Sequence, residues 1–268
     1  MRFGLNVPPF DGLADPGLLA DLAAEAEAVG WDGFFLWDHV YYRRPVVAAL
    51  DPWIALAAAA VATSSIRLGP MVTPLARRRP QIVARQTAAL DLLSDGRVVV
   101  GVGLGLDDSG AEFARFGEGT DLPRRAAIYD EALVLLTQLL SGERVNHDGE
   151  WLAAGDVQFL PVPRANRVPI WVGGRWPNRA PIKRAMRHDG LFIIDVTPGD
   201  LADVRDILSS RDTKESEFDL IVQSSDPEDA SRWSGAGATW WLAAFDPFRI
   251  SVDRVRRVIQ RRPEIGPM

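Results

Sequence analysis

The sequence predicts a single (β/α)8 TIM barrel over residues 1–268. Eight short apolar runs typical of buried strands alternate with eight helical patterns along the chain. Several helices are predicted to begin at an acid or hydroxyl residue before proline and to end at a glycine. Eight strands that are each followed by a helix favour a closed barrel, and no linker divides the chain. The rival is a doubly wound open sheet, which the unbroken alternation disfavours.

Each predicted strand is short and largely apolar, and each predicted helix repeats apolar residues every three or four positions. The predicted strands are Arg2–Val7, Gly33–Trp37, Ile66–Val72, Arg97–Val102, Pro169–Val172, Leu191–Asp195, Phe218–Gln223 and Thr239–Ala244. The predicted helices are near Leu18–Val29, Pro52–Ala62, Pro80–Leu93, Arg124–Leu140, Pro181–Arg187, Leu201–Leu208, Pro227–Trp233 and Val252–Arg262. The predicted capping residues are Asp15, Asp51, Thr197 and Asp226, and the predicted helix-ending glycines are Gly30, Gly96, Gly142, Gly190 and Gly235.

Composition narrows the class of protein. A net charge of -6, from 30 basic and 36 acidic side chains, gives no reason to expect a nucleic-acid partner. With no cysteine and three histidines far apart in sequence, we expect neither disulfides nor a metal site. The longest apolar stretch, Trp53–Ala62, is too short to span a membrane, and no signal-peptide pattern opens the chain. We therefore expect a cytoplasmic protein.

Two polar residues, Asp38 and His39, directly follow the predicted second strand. Ligands bind at the carboxyl ends of the strands in parallel α/β proteins, so these side chains are candidates for an active site. From spacing alone, an equally good interpretation is that they begin a loop and cap a neighbouring element.

Glycines end the predicted fourth strand, in the segment 101–105. They do not match the dinucleotide fingerprint, because its third glycine would fall on Leu106 or Asp108. Glycines here permit the close approach of a flat ligand to the backbone, or they simply fit a crowded barrel mouth. Both interpretations stay open.

Two other strand ends carry residues suited to an anion. Gly173-Gly174-Arg175 ends the predicted fifth strand and leads to a helix, so its amides and arginine suit a phosphate. Two prolines restrict the backbone around Met71 and Val72 at the end of the third strand. The run Arg77–Arg79 that follows is either a solvated charged surface or a contact for an anionic cofactor tail.

Two predicted connections are unusually long. Leu104–Leu122 is rich in glycine and acids, and a loop of this length often forms a functional lid. Gly142–Val168 contains a hairpin-like turn, and we expect a surface excursion at the amino-terminal face of the barrel because it follows a helix. In the last strand, one of Trp240 and Trp241 is expected to face the lumen and the other the helices.

Taken together, motifs along nearly the whole chain resemble the luciferase-like monooxygenase family, although each is weak alone. They are Ala26–Phe34 with Asp38-His39, Asp51–Leu56, Thr63–Pro74, Leu90–Gly105, Glu112-Phe113 with Phe116-Gly117, Pro169–Gly174, Ala185–Gly190 and Gly235–Leu242. The resemblance implies a barrel that binds FMN or the deazaflavin coenzyme F420 at the strand ends. It also implies a non-prolyl cis peptide between Pro70 and Thr73. The residues expected at the cofactor are Met71, Val72, Thr73, Gly103, Gly105, Gly173, Gly174 and Arg175.

The resemblance further implies an oxidoreductase that acts on a small organic substrate, with Asp38 and His39 beside the reacting ring and the histidine as acid or base. It would use oxygen together with reduced FMN, which a separate flavin reductase would supply. Alternatively, it would use F420 by hydride transfer. Family members often form dimers, and the helix around Ala55–Ala62 suits close packing against a second copy or merely against the sheet. The alternative is a non-catalytic flavin-binding protein. A lyase or aldolase is disfavoured, because neither Lys183 nor Lys214 falls at a strand end.

Overall fold

Strands and helices alternate in the computed structural model, which describes residues 1–107, 112–164, 167–210 and 218–263. The strands are β1 (Arg2–Val7), β2 (Gly33–Leu36), β3 (Arg67–Pro70), β4 (Thr73–Pro74), β5 (Val100–Gly103), β6 (Arg144–Asp148), β7 (Ala153–Gln158), β8 (Ile170–Arg175), β9 (Gly190–Ile194), β10 (Asp219–Ser224) and β11 (Trp240–Ala244). The helices are α1 (Pro16–Ala28), α2 (Pro52–Ala62), α3 (Pro80–Leu93), α4 (Leu122–Leu140), α5 (Arg179–Ala185), α6 (Leu201–Leu208), α7 (Ala230–Gly235) and α8 (Val252–Ile259). Within these ranges, we find no helix with the length and apolar character needed to cross a membrane.

The parallel strands close into a ring. Within the described residues the main sheet has nine strands in the order β3-β2-β1-β11-β10-β9-β8-β5-β4. The third barrel strand is interrupted at Met71 and Val72, so that β3 and β4 are its two halves. β4 pairs with β5, and Leu68 of β3 bridges Val98 just before β5. Nine strands with two of them in one position leave eight positions, which confirms the predicted barrel and corrects the predicted continuous strand Ile66–Val72.

Two apolar layers hold the barrel together. A larger cluster lies between the sheet and the helices, and a smaller one fills the lumen. Trp240 belongs to the lumen cluster, whereas Trp241 packs edge-on against Phe3 in the outer layer, with ring centroids 6.2 Å apart. The predicted division of the two tryptophans is confirmed, because neighbouring residues of a strand point to opposite sides.

The predicted helix starts are right where no neighbouring polar group binds the capping side chain. Asp15 and Asp51 accept hydrogen bonds from the first backbone N–H groups of α1 and α2. Asp226 caps a short 3₁₀ turn before α7. The prediction for Thr197 is wrong, since α6 begins after Asp200. The Thr197 backbone N–H and hydroxyl both donate to the Asp200 carboxylate, and this bonded turn displaces the helix start.

Three of the predicted helix-ending glycines have the expected left-handed backbone, with φ of 89°, 81° and 77°: Gly30, Gly96 and Gly142. One prediction is wrong. Gly190 opens β9, where a Cβ atom would lie 2.8 Å from the Asp219 carbonyl oxygen. Gly235 is the last residue of α7, as predicted, but it has helical conformation, and the left-handed residue is Gly237.

The hairpin of β6 and β7 lies beside α4. The segment after it reaches the expected amino-terminal face, where the Arg164 backbone N–H donates to Asp91 of α3. The hairpin turn lies elsewhere, because Trp151 contacts the Arg124 guanidinium in the first turn of α4 and donates from its backbone N–H to Glu131. The hairpin therefore extends along α4 and is not confined to the predicted face.

Candidate active site

The carboxyl ends of the strands surround an opening whose floor is accessible to solvent. In the lumen, Phe35, Ile221 and Leu242 are buried. Side chains two residues further along each strand point to the same side and, apart from the buried Asn6, are partly exposed. We call this upper layer the mouth floor, and its members are Asn6, Trp37, Val72, Gly173, Ile194, Gln223 and Ala244. It lies where ligands bind in barrels of this class.

The interruption in the third barrel strand pushes Val72 into the mouth. The Met71–Val72 peptide bond is cis, in the position that the sequence resemblance implied. A Cβ atom on Gly103 would lie 2.6 Å from one Val72 methyl, and a Cβ atom on Gly173 would lie 2.9 Å from the other. Only glycine leaves room for this side chain on both sides. The crowded-mouth interpretation therefore applies to both glycines, and direct contact with a flat ligand stays a prediction.

The Asp38 carboxylate is enclosed by hydrogen-bond donors. It accepts from the Thr73 hydroxyl at 2.7 Å, from Arg78 Nη2 at 2.7 Å and from Trp53 Nε1 at 3.3 Å. Its side chain has no exposed surface. Burial lowers the pKa of Arg78, but the Asp38 and Asp51 charges raise it by more. Asp38 thus connects the end of β2 to β4, to α2 and to the loop before α3.

His39 lies beside Asp38 with its imidazole at the edge of the mouth. Its Nδ1 is 2.9 Å from Glu112 Oε2, and its side chain is 21% exposed. Aromatic rings of Phe10, Trp37 and Tyr42 surround the imidazole at centroid distances of 5.9, 5.8 and 5.0 Å. No group in the described residues bonds to Nε2. One ring nitrogen is fixed and the other is available.

Glu112 is the site residue that motif reasoning did not single out as functional. It is buried, with 3% of its side chain exposed, and its Oε1 accepts a hydrogen bond of 2.8 Å from the Val40 backbone N–H. Asp107 shapes the loop by accepting from the Glu112 and Phe113 N–H groups. Burial raises the pKa of Asp107, but these backbone bonds lower it by more. The only sequence signal was the Glu112-Phe113 dipeptide within the family resemblance.

The arginine run divides between the interior and the surface. The Arg77 guanidinium is 8% exposed and lies 3.6 Å from Glu112 and 3.9 Å from Asp38. Arg78 bonds directly to Asp38, as described above. Arg79 alone is exposed, directly before α3. Two of the three arginines therefore neutralise the buried carboxylates of the site.

Three predicted cofactor residues contact other parts of the protein. A Cβ atom on Gly174 would lie 2.4 Å from Pro181 of α5, so this glycine lets the helix approach β8. Gly105, with φ of 79°, borders the loop after β5. Arg175 is exposed and pairs with Asp195 at 2.5 Å. The structure thus gathers Asp38, His39, Met71, Val72, Thr73, Gly103 and Gly173 around the mouth and places these three at its periphery.

The luciferase-like monooxygenase family profile matches residues 1–258. The chain belongs to this family. It is 34% identical over 172 residues to F420-dependent glucose-6-phosphate dehydrogenase of Kineococcus radiotolerans, and the match covers 60% of this chain and 48% of the relative. It is also 34% identical over 166 residues to F420-dependent hydroxymycolic acid dehydrogenase of Mycobacterium tuberculosis, and this match covers 59% of this chain and 45% of the relative. The matches thus span about half the length of these curated relatives.

Solved structures agree on the fold. The F420-dependent tetrahydromethanopterin reductase of Methanopyrus kandleri superposes with a TM-score of 0.78, covering 97% of this chain and 98% of that one at 18% identity. The oxygenating constituent of 3,6-diketocamphane monooxygenase of Pseudomonas putida, in complex with FMN, superposes with a TM-score of 0.67 at 19% identity, covering 87% and 70%. At these identities the likeness shows the barrel and no more.

Proposed function

We propose that this chain is an oxidoreductase that uses F420 for hydride transfer with a small organic substrate, and that His39 moves the accompanying proton. The observation that carries the proposal is the His39 imidazole, held at Nδ1 by Glu112 with Nε2 directed to no described partner. Histidine is the usual side chain for such a transfer, because it changes charge near neutral pH.

Glu112 and Asp38 act in this proposal as positioning residues. Glu112 fixes which ring nitrogen carries the hydrogen bond and balances the charge of a protonated imidazole. The sequence suggested Asp38 as catalytic beside His39. Its hydrogen bonds in the described residues are all to side chains of this chain, those of Trp53, Thr73 and Arg78. It holds the position of the bulge through Thr73. Arg77 keeps both buried carboxylates neutralised in a region of low dielectric.

The surroundings of Val72 support the proposed position of a flat tricyclic ring. Val72 presents a partly exposed apolar surface, and Gly103 and Gly173 on either side carry no side chain. Met71 and Thr73 hold this platform from the lumen and from Asp38. Arg175, Gly174 and Gly105 lie at the periphery, where the cofactor's phosphate is assigned in the proposal. When bound there, F420 supplies a two-electron hydride acceptor or donor.

The names of the two curated relatives favour F420 over FMN. The second candidate is reduced FMN with oxygen, which the family assignment and the FMN complex among the structural neighbours support. That reaction needs a separate flavin reductase as a partner. Cytoplasmic location and a single domain over residues 1–268 stay predictions.

A homodimer is also part of the proposal. Ile54 and Val61 of α2 are 62% and 73% exposed, and Ile82 and Leu93 of α3 are 54% and 49% exposed. α2 and α3 lie in contact, so these side chains are carried on neighbouring helices. Light scattering of the purified protein measures the mass, and a monomer at high concentration would refute the dimer.

The test is titration with F420 and FMN side by side, followed by turnover assays. We expect F420 to bind at micromolar concentration and to lose its visible absorbance in the presence of at least one alcohol from a panel that includes glucose 6-phosphate. Preferential binding of FMN, with oxygen consumption after chemical reduction, would support the second candidate instead. Tight binding of either cofactor without turnover would favour a non-catalytic flavin-binding protein, and binding of neither would reject the proposal.

A further inference from the structure

Asn6 is a buried amide at the mouth whose nitrogen is hydrogen-bonded and whose oxygen is not. Its residue is 2% exposed, and its Nδ2 donates to Gln223 Oε1 at 3.0 Å. Its Oδ1 is buried and accepts from no group in the described residues. A buried acceptor without a partner destabilises the fold, so such atoms are rare unless a ligand or a water molecule completes them.

A second unpaired polar atom lies on the neighbouring strand. Asn6 is paired in register with Phe35 of β2, and Trp37 follows two residues later on the same side. The Trp37 indole N–H is buried and also lacks a partner in the described residues. Its ring lies 5.8 Å from the His39 ring. The mouth therefore offers one buried acceptor on β1 and one buried donor on β2, and the donor belongs to the ring beside the His39 imidazole.

The sheet order places Asn6 across the mouth from Gly173. Starting at β1, where Asn6 lies, four steps through β11, β10 and β9 reach β8, which carries Gly173. Val72 itself belongs to the third barrel strand, two steps from β1 through β2, and its side chain packs against Gly173. The platform proposed for the cofactor ring therefore extends from the bulge, beside β2, towards β8. Gln223, which holds the Asn6 amide, is on β10 and partly exposed. Asn6 therefore lies across the lumen from the β8 side of the platform, and β2, which leads to His39, lies between Asn6 and the bulge.

From this arrangement we infer that Asn6, held by Gln223, is a specificity-determining residue that binds the hydroxyl group of a neutral alcohol substrate. A hydroxyl can donate to Asn6 Oδ1 and accept from the Trp37 indole N–H, which matches both unpaired atoms. The members of the mouth floor are uncharged, so an anionic group gains nothing there and loses its hydration. The inference rests on the proposed function for the position of the cofactor, and it names the substrate class.

The experiment compares three probes of similar size: cyclohexanol, methoxycyclohexane and cyclohexanecarboxylate. Each is titrated into the full-length protein while the Trp37 indole N–H resonance is followed by NMR, with the signal assigned from its loss in Trp37→Phe. Cyclohexanol is expected to bind about tenfold more tightly than the ether, because the ether cannot donate to Asn6. In Asn6→Leu the ratio should fall to within twofold of unity.

Two further variants keep the result interpretable. Gln223→Leu removes the bond that holds the Asn6 amide, so it should reduce the preference for the alcohol, and it serves as the test if Asn6→Leu folds poorly. Asn146→Leu, in the exposed hairpin, is the control and should leave this preference unchanged. Equal binding of alcohol and ether, or tight binding of the carboxylate, overturns the inference. A separate F420 titration distinguishes the two proposals. Loss of F420 binding in Asn6→Leu without alcohol would show that the cofactor is the donor, whereas alcohol selectivity in a protein that binds no F420 would reject only the proposed function.

Discussion

Two sets of buried polar groups, one at each end of the barrel, differ in how their hydrogen bonds are satisfied. At the amino-terminal end, the Arg97 guanidinium donates five hydrogen bonds of 2.6–3.0 Å to oxygens of the loops around it and of the end of α2. Glu27 at the same end accepts from three consecutive backbone N–H groups. At the carboxyl-terminal end, Asn6 Oδ1 and Trp37 Nε1 have no described partner, and one nitrogen of His39 is unbonded.

Of these groups, those that stabilise the fold lie at the amino-terminal end of the barrel, and those available to a ligand lie at the carboxyl-terminal end. Fully bonded groups at the amino-terminal end hold three successive βα units together and have nothing left to offer a ligand. Unpaired groups at the mouth reduce stability until a ligand completes them. Variants at the two ends should therefore act on different measurements, and each variant is to be tested for both thermal unfolding and turnover.

The largest expected effect is at the mouth. His39→Gln should reduce kcat by about 10²–10⁴-fold, because the proton-transferring group is lost, while the cofactor Kd changes by less than about twofold. Thermal stability should stay near that of the original protein. His147→Gln is the matched control, since His147 makes a similar bond to a carboxylate, Glu131, at 3.2 Å in the hairpin. Equal kcat values for the two variants would remove His39 from the mechanism.

The next effect is at the opposite end. Arg97→Met should lower the free energy of unfolding by about 3 kcal/mol, because several buried carbonyl groups lose a charged donor. Turnover at low temperature should be unchanged. Arg67→Met is the control at the same end, since Arg67 makes one hydrogen bond of 3.4 Å to the Gly96 carbonyl. If Arg97→Met reduced kcat without affecting unfolding in urea, the division of the barrel into two ends would be wrong.

Glu112→Gln tests whether the mouth needs the charge of Glu112 or only its shape. The amide can still accept from Val40, so stability should change little. We expect kcat to fall about 10–100-fold with KM nearly constant, because the carboxylate no longer balances a protonated His39. Glu131→Gln in α4, which removes the carboxylate that bonds to His147 of the hairpin, serves as control. A rise in KM with constant kcat would instead indicate that Glu112 shapes the substrate pocket.

The sequence predicts the amino-terminal end and the framework well, because their signals are local. Asp15 and Asp51 cap helices within three residues of themselves, and a period of two or of three to four residues identifies most elements. The prediction for Thr197 is wrong for an equally local reason, because the Thr197 hydroxyl is hydrogen-bonded to Asp200. The prediction for Gly190 is wrong because the constraint there is not a left-handed backbone but the close Asp219 carbonyl oxygen of the adjacent strand.

The site itself depends on contacts that no local pattern contains. His39 and Glu112 are 73 residues apart, and Asn6 and Gln223 are 217 apart, so each pair exists only once the barrel closes. The position of His39 could be predicted from the strand end that precedes it, but its partner could not. A charge run such as Arg77-Arg78 is usually solvated, and only the buried carboxylates turn it inward.

The smallest expected effect concerns Glu27, at the amino-terminal end, and it depends on pH. Burial raises the pKa of Glu27, but the backbone N–H groups of Ile66, Ser65 and Ser64 and the Ser65 hydroxyl lower it by more, to about 2. Because the folded-state pKa lies below the unfolded value, the carboxylate stabilises the fold above about pH 4.5. That stabilisation is lost as the pH falls towards 2. Glu27→Gln should therefore cost on the order of 1 kcal/mol at pH 7, after allowance for solvent screening, and the difference should shrink between pH 4.5 and 2. Thermal unfolding across this range, with Glu25→Gln on the same helix as control, measures it; a difference independent of pH would show that Glu27 stabilises the loop by shape and not by charge.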